Sequence, residues 1–179
     1  VRVVGKGKNI ATYRAIVGAP KTATPQLDAS AIGMIIHPTW TIPQGIIKES
    51  VGALRANNPA AAKARGYTWT GTGKTLSVVQ KFGPGNSLGM MKMDMPNPHA
   101  IFLHDTPTRN LFEKPVRALS HGCIRTDRAV EFAILMSILQ ADFDPHEAAE
   151  IFKRGLNDRI AFIDPVQVFI NYFTMASNG

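Results

Sequence analysis

Hydrophobic positions in this chain come in short runs rich in valine, isoleucine and methionine, each cut off by glycine, proline or asparagine. Runs of that kind at residues 1–4, 13–17, 32–36, 76–81, 90–95, 101–104, 160–163 and 166–173 predict strands. The segments between them carry turn chemistry, as in Gly83-Pro84-Gly85-Asn86, Pro96-Asn97-Pro98 and Asp164-Pro165. A mostly antiparallel sheet system follows. Gly5-Lys6-Gly7-Lys8-Asn9 and Gly71-Thr72-Gly73-Lys74 look superficially like phosphate loops, but neither completes the pattern or opens a helix, so hairpin turns are expected.

Helical periodicity is confined to three places. Residues 46–56 place Ile47, Val51 and Leu54 on one face and 59–65 continue them, giving a small helical insert at about 44–68. Residues 128–140 are apolar almost all round, as expected of a helix buried against a sheet, with Thr126 or Asp127 as its N-cap. Residues 145–154 begin with Asp144 as N-cap and Pro145 in the first turn, and stop at Gly155. The expected fold is therefore mainly β with a few helices, in one domain over 1–179.

Composition narrows this little. A chain of 179 residues, 45% hydrophobic and 18% charged, is an ordinary globular unit, burying roughly 70% of its extended surface. The net charge of +7 suggests an anionic partner, but lysines and arginines are scattered, with Lys153-Arg154 the only adjacent pair. No nucleic-acid motif accompanies them, so a carboxylate-bearing polymer suits the diffuse charge better than nucleic acid. No apolar run reaches the roughly 18 residues of a membrane helix, and no signal segment opens the chain. The strand-like start at Val1 suggests a trimmed domain whose signal or anchor lies elsewhere.

The single cysteine changes the picture. Cys123 cannot form an internal disulfide, and it sits in Ser120-His121-Gly122-Cys123-Ile124-Arg125, a polar turn rather than an apolar element. His104 lies upstream, at the end of Ile101-Phe102-Leu103. A thiol with a free pKa near 8.5 is mostly protonated at neutral pH and needs a base, and two histidines are on offer. The predicted helix after the motif would add the field of its N-terminus to the thiolate. The competing readings are a buried structural thiol, or a zinc site with His104, His121 and Cys123 as ligands.

The stretch from His104 to Arg125 resembles the L,D-transpeptidase catalytic domain family, whose signature is a histidine, a spacer and Ser/Thr-His-Gly-Cys. Similar stretches are His37-Pro38-Thr39-Trp40-Thr41-Ile42-Pro43, Gly83 to Gly89, and Met95-Pro96-Asn97-Pro98-His99 running into His104-Asp105-Thr106-Pro107. The resemblance is closest to the branch with a helical capping subdomain, and it implies a β-sandwich with the cap at about 44–68.

It also implies peptidoglycan chemistry. Cys123 would attack a donor tetrapeptide stem, release terminal D-alanine and pass the acyl group from a thioester to an acceptor amine. His104 would be the base, oriented by the backbone carbonyl of Asp105, with His121 beside the thiol. Amides of His121, Gly122 and Cys123 would form the oxyanion hole. Arg125, Trp40, Ser120 and Arg117 are candidate substrate contacts, with Lys114 beside Arg117 in the spacer loop, while His37 and His99 read as structural. No cofactor or metal is implied, carbapenem β-lactams would acylate the thiol, and the expected location is the periplasm or cell envelope. A papain-like peptidase would place its cysteine before its histidine, and a non-catalytic wall-binding module would need neither.

Overall fold

The computed structural model describes residues 1–172; the predicted strand position Phe173 lies outside them. Its centre is a seven-stranded sheet in the order β10-β3-β11-β9-β8-β4-β12. These strands are β3 (Ala15–Gly18), β4 (Leu27–Ile36), β8 (Met91–Asp94), β9 (Leu103–His104), β10 (Ala118–Ser120), β11 (Ile124–Thr126) and β12 (Asp158–Ile170). Neighbours run antiparallel except β10 with β3 and β11 with β9. A second ribbon, β1 (Arg2–Gly5) with β2 (Lys8–Thr12), turns at Lys6 and Gly7, both at positive φ, so the first glycine-lysine segment is the expected hairpin.

One face of the large sheet carries the main core. Met34, Ile36, Met91, Met93, Leu103 and Ile124 pack there with Phe132, Ala133 and Met136 of helix α4 (Ala129–Ala141). Alternation along β8, β9 and β11 sends Lys92, His104 and Arg125 to the opposite face.

Two predicted boundaries move for physical reasons. Strand runs 160–163 and 166–173 join into one long β12, because Pro165 falls in a register shift on an edge strand, where a missing N–H breaks no ladder. Helix α4 starts at Ala129, after Arg128 in the left-handed region at φ 49°, with no side-chain cap. Helix α5 (Pro145–Glu150) is capped by Asp144, whose carboxylate accepts from the amides of His146 and Glu147 at 2.8 and 2.9 Å.

The insert has a core of its own. Helix α1 (Gln44–Ile46), a π-helical turn (Ile47–Val51), α2 (Gly52–Asn57) and α3 (Pro59–Ala64) lead into a three-stranded sheet in the order β5-β7-β6. Its strands are β5 (Trp40–Thr41), β6 (Tyr67–Thr70) and β7 (Ser77–Gln80). Ile42, Ile47, Val51 and Val78 are buried within it, and Trp40, Tyr67 and Trp69 pack around them. The helical segment is thus inseparable from strands on both sides of it.

Candidate active site

Cys123 lies in the loop between β10 and β11, both of which pair with β3. The helix expected over 128–140 is α4, starting at Ala129, but strand β11 (Ile124–Thr126) stands between Cys123 and it, so the expectation that the thiol lies just before a helix start is corrected. β11 fits between β3 and β9, which satisfies its backbone groups in a ladder.

The loop is held by its own serine. Ser120 Oγ donates to the Cys123 carbonyl at 2.6 Å and accepts the Gly122 N–H at 3.1 Å. Ser120 is only 4% exposed, so the proposed contact of its side chain with substrate is corrected: the hydroxyl is consumed inside the loop. Gly122 adopts φ 122°, which only glycine tolerates readily, and its carbonyl accepts from Thr24 Oγ1 at 2.7 Å. With the Gly122 amide committed to Ser120, the amides of His121 and Cys123 remain as the candidate oxyanion donors.

His104 is buried and stands on β9 beside Arg125 of β11, one register pair away. Its Nδ1 meets the Asp105 carbonyl oxygen at 2.5 Å. A carbonyl can only accept, so the proton is on Nδ1 and the free lone pair on Nε2. Burial, aided by the positive charges of Arg125 and Lys92 and opposed by the Asp105 hydrogen bond, pushes its pKa down to about 4. Burial likewise pushes the Cys123 thiol up, against a backbone hydrogen bond at Phe102 and the fields of Lys92 and Arg125. Both groups are neutral at neutral pH. The thiol donates to the Ala100 carbonyl at 3.8 Å, and no hydrogen bond joins it to His104. Such catalytic contacts commonly tighten only when substrate is bound.

The carboxylate of Asp105 is a separate anchor. It is 1% exposed, accepts the Met90 N–H at 2.8 Å and pairs with Arg109 at 3.1 Å. Gly89 must lack a side chain here, because a Cβ would lie 2.3 Å from Asp105 Oδ2. The predicted backbone contact to His104 thus comes from a residue whose side chain is clamped from the other side.

The remaining predicted residues separate. His121 turns its Nε2 to Glu49 Oε2 of the insert at 3.1 Å, with both side chains half or more exposed. Trp40 packs in the core of the insert. Arg117 donates to the carbonyls of Ala15 and Lys114 and lines a different cavity, together with Arg14 and Arg128. Arg125 stays beside His104, and its Nε is buried without a partner. His37 is buried, stacked on Phe82 with ring centroids 4.1 Å apart, and His99 is exposed. Among the described residues no cluster of three or more His, Cys, Asp or Glu side chains is placed to hold a metal.

Sequence reasoning missed three contributors. Glu49 meets the motif only through the fold. Ala100, at φ 51°, turns its carbonyl toward the thiol from a loop wrapped on Asn97, whose side chain bonds Met95, His99 and Ile101. Lys92 pairs in register with His104 and places its ammonium 4.2 Å from the Phe102 ring centroid. The alternation of Met91-Lys92-Met93 was the available signal, since it puts one lysine on the face away from the core.

A sequence model of the L,D-transpeptidase catalytic domain matches residues 1–140, which take in the whole site. A putative L,D-transpeptidase of Haemophilus influenzae is 28% identical over 146 residues, covering 73% of this chain and 30% of that protein. The chain thus spans less than a third of that relative's length.

Proposed function

Because the chain belongs to the L,D-transpeptidase catalytic domain family, we propose that Cys123 is an acyl-transfer nucleophile acting on peptidoglycan stems. The observation that carries the reading is a neutral His104 with its proton fixed on Nδ1 by the Asp105 carbonyl, between Lys92 and Arg125, whose fields also reach the thiol. That tautomer leaves Nε2 able to take the Sγ proton. The sulfur then attacks the carbonyl of the third residue of a donor tetrapeptide, and the amides of His121 and Cys123 receive the charge on its oxygen. The C–N bond to D-alanine breaks as the imidazolium returns its proton to the departing amine. An acceptor amine on a second stem gives its proton to His104, attacks the thioester and restores the thiol.

Neutral partners suit this cycle. An imidazole with lowered pKa stays unprotonated into acid, so the acid limb of acylation falls below the usual histidine value of 6.5. The protein acts in the cell envelope, where such stems are found, and the same thiol is the site of acylation by carbapenems.

The test is incubation with tetrapeptide-bearing muropeptides followed by mass spectrometry. A covalent adduct on Cys123 and a cross-linked dimer lacking one D-alanine are expected, with neither from Cys123→Ala. Dimer formation by Cys123→Ala, or no adduct with the unaltered protein, overturns the proposal.

A further inference from the structure

Lys92 is an unmatched cation beside the reactive groups. Across β8, β9 and β11 the register pairs Lys92 with His104 and His104 with Arg125, so three basic residues form one row on the face away from the core. Opposed residues in paired strands share a face. Lys92 also lines a cavity of about 290 Å³ with Asn97, Ala100 and Phe102. Ala100 belongs to both places: it borders the cavity, and its carbonyl accepts from Cys123 Sγ. The cavity therefore opens beside the nucleophile.

That cavity has a cation without an anion. Its one carboxylate, Asp94, is taken by Arg159, which donates from Nε and Nη2 at 2.9 and 2.8 Å. Among the described residues Lys92 has no carboxylate within ion-pair distance, and its ammonium rests on the Phe102 ring. A cation–π contact fixes the ammonium without neutralising it. Asn97 cannot supply the missing acceptor, because its side-chain oxygen is used by the amides of His99 and Ile101.

We infer that Lys92 is the carboxylate-binding residue of the donor site, receiving through this cavity a carboxylate of the peptide whose carbonyl Cys123 attacks. The inference rests on the acyl-transfer reading above and adds the group that orients the donor. A donor tetrapeptide offers two such carboxylates near the attacked carbonyl, one on the side chain of the third residue when that is a diamino diacid, the other on terminal D-alanine. The cavity has room for a group of that size and not for a sugar chain. Lys92 and Arg125 stand on opposite sides of His104 and have separate roles, since only Lys92 lines the cavity.

The experiment is a cycle of single-turnover acylation rates. The unaltered protein, Lys92→Gln and Lys92→Arg would each be given the natural donor, a donor amidated on the third-residue side chain, and a donor amidated at its C-terminus. The unaltered protein is expected to lose about tenfold in acylation rate on one amidated donor, and Lys92→Gln to lose about tenfold on the natural donor. On the donor lacking the carboxylate that Lys92 reads, Lys92→Gln should match the unaltered protein, while Lys92→Arg keeps most of the preference. Which amidation removes the difference identifies the carboxylate. An equal loss by Lys92→Gln on all three donors, as a merely structural lysine would give, or no loss on any, overturns the inference and leaves acyl transfer standing. No thioester from the unaltered protein with any donor overturns both.

Discussion

Two regions of the molecule meet at the cysteine loop and are held by opposite means. On the sheet side, His104, Asp105 and Ser120 are each at most 6% exposed, and every one is fixed by a backbone partner. On the insert side, a core of four buried residues supports helices that are largely solvated, and the contact to the loop is the exposed pair His121–Glu49. Buried hydrogen bonds are expensive to break because each leaves an unsatisfied group, whereas an exposed ion pair exchanges readily for water. The difference teaches that the geometry of the reactive groups is stored in the sheet, and that the insert can part from the loop at small cost.

The strongest way to break this comparison is to make one substitution in both regions. Gly89→Ala places a Cβ against the buried Asp105 carboxylate at a residue with φ 61°. It should lower unfolding free energy by about 4 kcal/mol through strain and displacement of the Met90 and Arg109 contacts. Gly45→Ala, in α1, meets nothing within 4 Å, and should raise stability by about 0.5 kcal/mol through helix propensity. Urea midpoints decide it; equal effects of either sign would mean that the two regions are alike.

The next effect is acid sensitivity centred on the sheet side. The buried His104 binds its proton less tightly than the unfolded chain does, so the unfolded state takes up more protons between pH 6.5 and about 4. Stability is full above that window and falls as pH drops through it, by about 3 kcal/mol in all. Cys123 acts at the other end. Its raised pKa means the folded thiol keeps its proton longer, so stability falls again as pH climbs past 9.0. His104→Gln should flatten the acid slope and leave the alkaline one; an unchanged acid slope assigns it to other groups.

The sheet side was also the more legible in sequence. Short apolar runs at 90–95 and 101–104 marked β8 and β9, and the apolar helix marked α4, because burial against a sheet concentrates apolar residues in the segments that pack there. β2 escaped: Lys8–Thr12 lies in a two-stranded ribbon with little burial, where nothing demands alternation. Cys123, His104 and Asp105 were visible because their relation is one of motif and adjacency. Lys92 and Glu49 were not, since one depends on strand register and the other on how the insert closes over the loop. The partner of His121 was hidden for the same reason: the motif sets it two residues from the cysteine, but its hydrogen-bond partner comes from the π-helical turn.

The smallest predicted effect is the most direct probe of the insert. Glu49→Gln removes the carboxylate that meets His121 but keeps its size, and because both side chains are well exposed the loss should stay below about 0.5 kcal/mol. Whatever coupling exists between these exposed groups should fade with salt. A double-mutant cycle with His121→Gln isolates that coupling from effects on either residue alone. A value near 2 kcal/mol, insensitive to salt, would show that the insert is as firmly built onto the loop as the sheet is. A value near zero with an altered rate of Cys123 acylation would sharpen the contrast instead, because the contact would then affect turnover without contributing measurably to the fold.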